Sequence, residues 1–170
     1  SVGAVELDTL SLVQSYGDLH VTAGGAVTQK TGTALVIGGL TTISAASQNV
    51  TLNGTSNDFQ DEVRITGADV EITDANSIKL GKSTVTGNYT VTALAGTVTQ
   101  AQLTTEPLTI NGTGKTIEIS GTNITLNNAE NNFVSAVKVT TTGSDVWLVD
   151  SGAIILGEST VTGTYKVEAG

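Results

Sequence analysis

The stretch Val63-Arg64-Ile65-Thr66-Gly67-Ala68-Asp69-Val70-Glu71-Ile72-Thr73-Asp74-Ala75-Asn76-Ser77-Ile78-Lys79-Leu80 decides the fold. Apolar residues take every second place in three short runs, 63–65, 70–72 and 78–80, and the links between runs are Thr-Gly-Ala-Asp and Asp-Ala-Asn-Ser. Period two over so few residues marks half-buried strands, and Gly, Asp, Asn and Ser are residues that turn a chain. The same grammar runs on through Tyr89-Thr90-Val91, Leu108-Thr109-Ile110, Ile117-Glu118-Ile119 and Ile124-Thr125-Leu126. No stretch of helical length spaces its apolar positions at i, i+3, i+4 and i+7, and richness in Thr and Val disfavours helix. Near-zero helix is expected. Strand starts fall about seven residues apart, so three strands and their turns make a unit of about 20 residues, one coil of a β-solenoid.

Composition narrows the function. The 170 residues include 30 Thr and 20 Gly but no Cys and no Met, and 14% are charged, against about 25% in an average chain. Without cysteine there is no disulfide scaffold, thiolate metal site or cysteine nucleophile. A net charge of −9 argues against a nucleic-acid partner, because phosphate contacts need clustered Lys and Arg. No apolar run approaches the roughly 18 residues of a membrane span, and no signal-peptide pattern opens the chain. Ser1 is not a translation start, so a processed product or a cut from a longer rod is expected.

A larger repeat overlies the coils. Val27-Thr28-Gln29 returns as Val98-Thr99-Gln100, Asn49-Val50-Thr51-Leu52-Asn53 as Asn123-Ile124-Thr125-Leu126-Asn127, and Phe59 as Phe133. Val5-Glu6-Leu7 returns as Val70-Glu71-Ile72 and Val146-Trp147-Leu148, and Leu10-Ser11-Leu12 as Ile78-Lys79-Leu80 and Ile154-Ile155-Leu156. The division is therefore a single solenoid segment, 1–170, of about two and a third superrepeats: 5–69, 70–145 and 146–170. About eight coils at ~4.8 Å each give a rod of about 40 Å.

Asn57-Asp58-Phe59, Val63-x-Ile65-Thr66-Gly67, Asp74-Ala75-Asn76-Ser77-Ile78-x-Leu80-Gly81 and Val85-Thr86-Gly87-Asn88-Tyr89-Thr90-Val91-Thr92-Ala93 resemble the repeats of filamentous haemagglutinin-like giant exoproteins. Those are bacterial surface adhesins secreted by two-partner or related routes. The resemblance implies a right-handed parallel β-helix, exported and folded outside the cell, serving as a stretch of shaft. No amino-terminal secretion domain is recognisable here. The expected localisation is extracellular, at the bacterial cell surface, and the expected partner is a continuation of the same β-helix at both ends.

His20 alternates with Leu19 and Val21 and faces water, with no second catalytic partner. Asp58, Asp61 and Glu62 share one loop and are the best place for calcium, although Asp at turns serves the backbone more often. Seven scattered basic residues do not make the groove of a polysaccharide lyase, and Thr-x-Thr pairs without a fixed coil spacing do not make an ice-binding face. No enzyme, cofactor or metal is expected. Sequons stand at Asn49, Asn53, Asn88, Asn111 and Asn123. One departure stands out: where the second copy has outward Glu71, Thr73 and Lys79, the third has Trp147, Val149 and Ile155, a candidate contact patch. Against the shaft reading stands the alternative that the segment is itself a carbohydrate- or protein-binding surface.

Overall fold

The computed structural model describes residues 3–12, 17–102 and 105–170, which form 21 strands and no helix. The first coil holds β1 (Val5–Leu7), β2 (Leu10–Leu12) and β3 (Leu19–Thr22). The second holds β4 (Val27–Gln29), β5 (Leu35–Ile37) and β6 (Thr41–Ser44), and the third β7 (Val50–Leu52), β8 (Asp58–Phe59) and β9 (Glu62–Gly67). The fourth holds β10 (Val70–Asp74), β11 (Ile78–Leu80) and β12 (Ser83–Val85), and the fifth β13 (Tyr89–Ala93), β14 (Val98–Gln100) and β15 (Leu108–Ile110). Then come β16 (Thr116–Gly121), β17 (Ile124–Leu126) and β18 (Asn132–Phe133), followed by β19 (Ala136–Thr141), β20 (Val146–Asp150) and β21 (Tyr165–Ala169).

Every strand pairing is parallel and joins one coil to the next. One sheet runs β1-β4-β7-β10-β13-β16-β19, a seven-stranded face that sets the rod at about seven turns. Coil length varies more than a fixed repeat allows: Val70 to Tyr89 takes 19 residues and Tyr89 to Ile117 takes 28. The alternation read from sequence is the observed one. Val27, Val50, Val70, Tyr89, Ile117 and Val137 stack in register and are at most 2% exposed. Each layer shields the one below, so short strands that could not hold a core alone share a continuous one.

Side-chain oxygens at the corners keep the coils at one height. The residue just before the first inward position accepts a hydrogen bond from the N–H of its counterpart one coil on. Asp18 Oδ1 accepts from Leu40 N at 2.9 Å, Asp69 Oδ1 from Asn88 N at 2.8 Å, Asn88 Oδ1 from Thr116 N at 3.0 Å and Asp145 Oδ1 from Thr164 N at 2.8 Å. Glycine at 39, 87 and 163 leaves room for those carboxylates, into which a Cβ at any of the three would run. The turn acids are therefore part of the stacking.

The prism changes face once per superrepeat. Along one edge β9 pairs with β6 alone, Thr41 to Ser44 against Val63 to Thr66. Along its other edge Glu62 and Val63 pair with β11, and Thr66 and Gly67 with β12. Between those two strands the ladder is interrupted opposite Ile65, and the Ser83 hydroxyl fills the gap: it accepts from Ile65 N at 3.1 Å and donates to Gly81 O at 3.1 Å. The arrangement recurs. Strand β19 pairs with β16 on one side and meets Leu156 and Thr160 on the other, and Ser159 Oγ accepts from Val139 N and donates to Gly157 O, each at 3.1 Å.

This stacking corrects the alignment of the first copy. Val5 lies against Val27 as Ile78 lies against Val98, and Leu10 lies against Leu35 as Ser83 lies against Leu108. The structural counterpart of Val5-Glu6-Leu7 is Ile78-Lys79-Leu80 rather than Val70-Glu71-Ile72. Leu10-Ser11-Leu12 corresponds to Ser83-Thr84-Val85 rather than Ile78-Lys79-Leu80. The triplets are too alike to fix this; the pairing partners fix it.

Ser83→Ala leaves the Ile65 N–H buried without an acceptor, at a cost of about 1–3 kcal/mol. The expected result is a lower urea midpoint with an unchanged slope, and a smaller drop for Ser159→Ala because Ser159 is only half-buried.

Candidate functional site

The residues richest in chemistry inside the rod form two matching polar clusters. Gln29 ends β4 at an inward position and meets Asn57 of the next coil: Gln29 Nε2 donates to Asn57 Oδ1 at 2.7 Å and Asn57 Nδ2 donates to Gln29 Oε1 at 2.9 Å. Asn57 is fully buried; its Oδ1 also accepts from Leu35 N at 2.9 Å, and its Nδ2 also donates to Leu52 O at 3.2 Å and Thr73 O at 3.3 Å. Asp74 follows, accepting from Phe59 N at 2.7 Å and Asn76 N at 2.6 Å.

The second copy repeats this bond for bond. Gln100 Nε2 donates to Asn131 Oδ1 at 2.6 Å and Asn131 Nδ2 to Gln100 Oε1 at 2.9 Å, while Asn131 Oδ1 accepts from Leu108 N at 2.9 Å. Asp150 accepts from Phe133 N at 2.7 Å and Gly152 N at 2.8 Å. Burial pushes the Asp74 carboxyl above the usual carboxylate range, against the pull of its two backbone donors. A primary amide offers two donors and two acceptor sites, so a face-to-face Gln–Asn pair can satisfy itself and several backbone groups together. The sequence carried the signal: Gln29 and Gln100 stand at the same phase in the equivalent triplets Val27-Thr28-Gln29 and Val98-Thr99-Gln100. Their partners were not legible, because one coil-to-coil contact joins residues 28 and 31 apart.

The expected sites fall as follows. Trp147 and Val149 stand outward on β20, both half-buried, while Ile155 is 56% exposed in the segment beyond the Asp150–Gly152 corner, beside β19. Trp147 and Val149 thus share one strand, and Ile155 lies beside a strand of a different sheet. Lys166, directly opposite Trp147 in the ladder, sets its Nζ 4.0 Å from the ring centroid and covers the indole. Asp58, Asp61 and Glu62 do not converge: Asp61 pairs with Lys79 at 2.6 Å, Glu62 with Arg64 at 2.5 Å, and Asp58 accepts from Gln60 at 2.8 Å. Lys79 holds the Asp61 carboxyl below its ordinary range. Among the described residues no three acidic or histidine side chains form a metal-sized group. His20 is exposed, 3.9 Å from Asp18. Of the sequon residues, Asn49, Asn88 and Asn123 accept corner hydrogen bonds, Asn53 donates to Glu71 at 3.2 Å, and Asn111 is exposed.

Arg64 does more than the sequence suggested. Its guanidinium bridges Glu62 and Glu106, the second contact at 3.2 Å, and Glu106 in turn accepts from Lys82 N at 2.9 Å. The buried Glu106 carboxylate thereby ties the β14–β15 connection to the corner between β11 and β12.

A shallow outer groove recurs at equivalent places. One is lined by Asn49, Thr51, Asp69, Glu71, Asn88 and Thr90, the other by Asn123, Thr125, Asp145, Trp147, Thr164 and Lys166. Both lie across three stacked strands, β7-β10-β13 and β17-β20-β21. Three of the six residues are identical between copies, and Glu71, Asn88 and Thr90 give way to Trp147, Thr164 and Lys166.

Residues 2–66 and again 67–140 match a family described as repeats of unknown function (DUF5649). The chain belongs to this family. No curated protein and no solved structure matches it. The DUF5649 boundaries have a structural meaning: the first copy ends at Thr66 inside β9 and the second at Thr140 inside β19. Thr66 pairs with Thr84 and Thr140 with Thr160, so each copy ends at the same point of the face change.

The Lys166 cover makes a direct prediction for the one tryptophan. Emission from the native protein should lie to the blue of free tryptophan in water, and Lys166→Ala should move it to the red by uncovering the ring. An unshifted maximum in the variant would show that Lys166 does not sit on the indole.

Proposed function

We propose that this DUF5649 segment is a stretch of structural shaft in a large secreted bacterial surface protein, holding a distal binding region away from the cell. One observation carries the reading: the polar residues that recur with the period are spent on joining coil to coil. Gln29, Asn57 and Asp74, and Gln100, Asn131 and Asp150, all turn their side chains to backbone or to one another. The resemblance to filamentous haemagglutinin-like repeats supports the same reading, and with it an extracellular, non-catalytic role. A rod of this kind extends by adding coils, without new chemistry at each step.

A second reading is favoured by the outer groove. While Asn49/Asn123, Thr51/Thr125 and Asp69/Asp145 repeat, the exchange of Glu71 for Trp147 and Thr90 for Lys166 alters the outward surface alone. On this reading the third copy is a carbohydrate- or protein-recognising surface of an adhesin.

Two measurements separate them. Inserting one further period should lengthen the particle by about 16 Å at constant cross-section in small-angle X-ray scattering, from ~4.8 Å per coil. On arrays of host glycans and matrix proteins the shaft shows no saturable binding. Saturable binding that disappears in Trp147→Ala would instead establish the recognition surface.

A further inference from the structure

The chain holds two Asn-Gly pairs, Asn53-Gly54 just past β7 and Asn111-Gly112 just past β15. In such a pair the Gly backbone nitrogen can attack the Asn side-chain carbonyl, because Gly has no Cβ to obstruct the approach. Both are Asn-Gly-Thr after an aliphatic residue, so their intrinsic chemistry is alike. Folding treats them differently. Asn53 Nδ2 donates to Glu71 Oε1 at 3.2 Å, and Gly54 N donates to Gln29 Oε1 at 3.0 Å, so the leaving amide and the attacking nitrogen are both held. Asn111 is exposed and its side chain has no partner among the described residues; the N–H of buried Gly112 has no acceptor among them either. A backbone N–H left so in a buried residue is rare.

The first copy shows the bond that the second lacks. Gly38-Gly39 follows β5 as Asn111-Gly112 follows β15: Gly38 N donates to Leu12 O and Asn111 N to Val85 O, each at 2.8 Å. Gly39 N goes on to donate to Gly17 O at 3.2 Å, and Gly112 N makes no such bond. Gly112 is held from its carbonyl side instead, where Lys115 N donates at 3.1 Å and the Ser135 hydroxyl donates to the same oxygen. Where Asn stands before a strand, the following nitrogen is also taken. Val50 N, after Asn49, donates to Asp69 O at 2.9 Å, and Ile124 N, after Asn123, donates to Asp145 O at 3.0 Å.

We propose that Asn111 is a self-modifying site, which closes a succinimide with Gly112 and opens to aspartate and isoaspartate. Gly112 N bonds to Asn111 Cγ, the Cγ–Nδ2 bond breaks, and the Gly112 amide proton leaves with the departing group as ammonia. Water then opens the ring. Attack at Cγ gives aspartate, and attack at the backbone carbonyl carbon of Asn111 gives isoaspartate, in which the chain runs on through Cγ. Nothing is oxidised or reduced, and water is the sole co-reactant. The product carries a new negative charge, and isoaspartate adds a methylene to the backbone beside the Ser135 contact on Gly112 O. The inference stands apart from the shaft reading, because it concerns the chain's own chemistry.

The test is peptide mapping by mass spectrometry of the whole folded chain, sampled during incubation at mildly alkaline pH, where the attacking amide is more readily deprotonated. Labelling by isoaspartyl methyltransferase reports the isoaspartate. The expected result is conversion of Asn111 to aspartate and isoaspartate, with Asn53 of the same molecules reacting at least about tenfold more slowly. In urea the hydrogen bonds at Asn53 and Gly54 are gone, and the two pairs should react at like rates. Asn111→Gln should abolish modification at this position, because the longer side chain closes a ring far less readily, and should leave the circular dichroism unchanged. It serves better than Gly112→Ala, whose Cβ would come within 2.8 Å of Gly87 O. An Asn111 that stays intact, or an Asn53 that reacts as fast as Asn111 in the folded chain, would overturn the proposal.

Discussion

Each strand here is too short to satisfy or shield itself, so every coil depends on being held at the right height above the last. In a parallel ladder the N–H and C=O groups of one coil are answered only by the next, and a slip of one residue would turn each apolar side chain outward. The corner residues set that height. Asp18, Asp69, Asn88 and Asp145 each reach up one coil to a backbone N–H, and the Gln29–Asn57 and Gln100–Asn131 pairs do the same from inside. Burial of Val, Ile and Leu supplies the drive to stack, and these polar contacts decide where.

The face change makes the superrepeat larger than a whole number of coils. A six-residue strand, β9 or β19, supports one partner below and two above, and a serine hydroxyl closes the break between the two. Successive copies therefore present equivalent outer grooves on different faces of the prism, one over β10 and the next over β20. A partner bound along one side of such a rod meets the same groove only after several copies. That spacing sets a geometric constraint on lateral binding, whichever role the groove serves.

The fold was largely legible in the sequence and the polar framework was not. Alternation in triplets such as Val70-Glu71-Ile72 is a local signal, and it gave the strands, the absence of helix and the stacked core. Sequence alone misaligns the first copy because Val5-Glu6-Leu7 resembles Val70-Glu71-Ile72 in composition, whereas equivalence depends on which strand lies above. The candidate patch at Trp147, Val149 and Ile155 rests on outward phase alone. Phase says nothing of the corner at Asp150 or of Lys166 one coil away. Asp58, Asp61 and Glu62 looked like one acidic loop, but each is drawn to a different partner, Gln60, Lys79 or Arg64.

The central claim is that the recurring Gln–Asn clusters fix coil on coil in both copies. The most direct test is chemical denaturation of Asn57→Ala, Asn131→Ala and the double variant. Each single change strands a buried backbone N–H, at Leu35 or Leu108, and removes the amide donor to the Leu52 and Thr73 carbonyls or to those of Leu126 and Val149. The account predicts a loss of about 3 kcal/mol or more from each, since one unsatisfied buried group costs about 1–3 kcal/mol. A loss below about 0.5 kcal/mol at both sites, the range of an ordinary surface substitution, would contradict it.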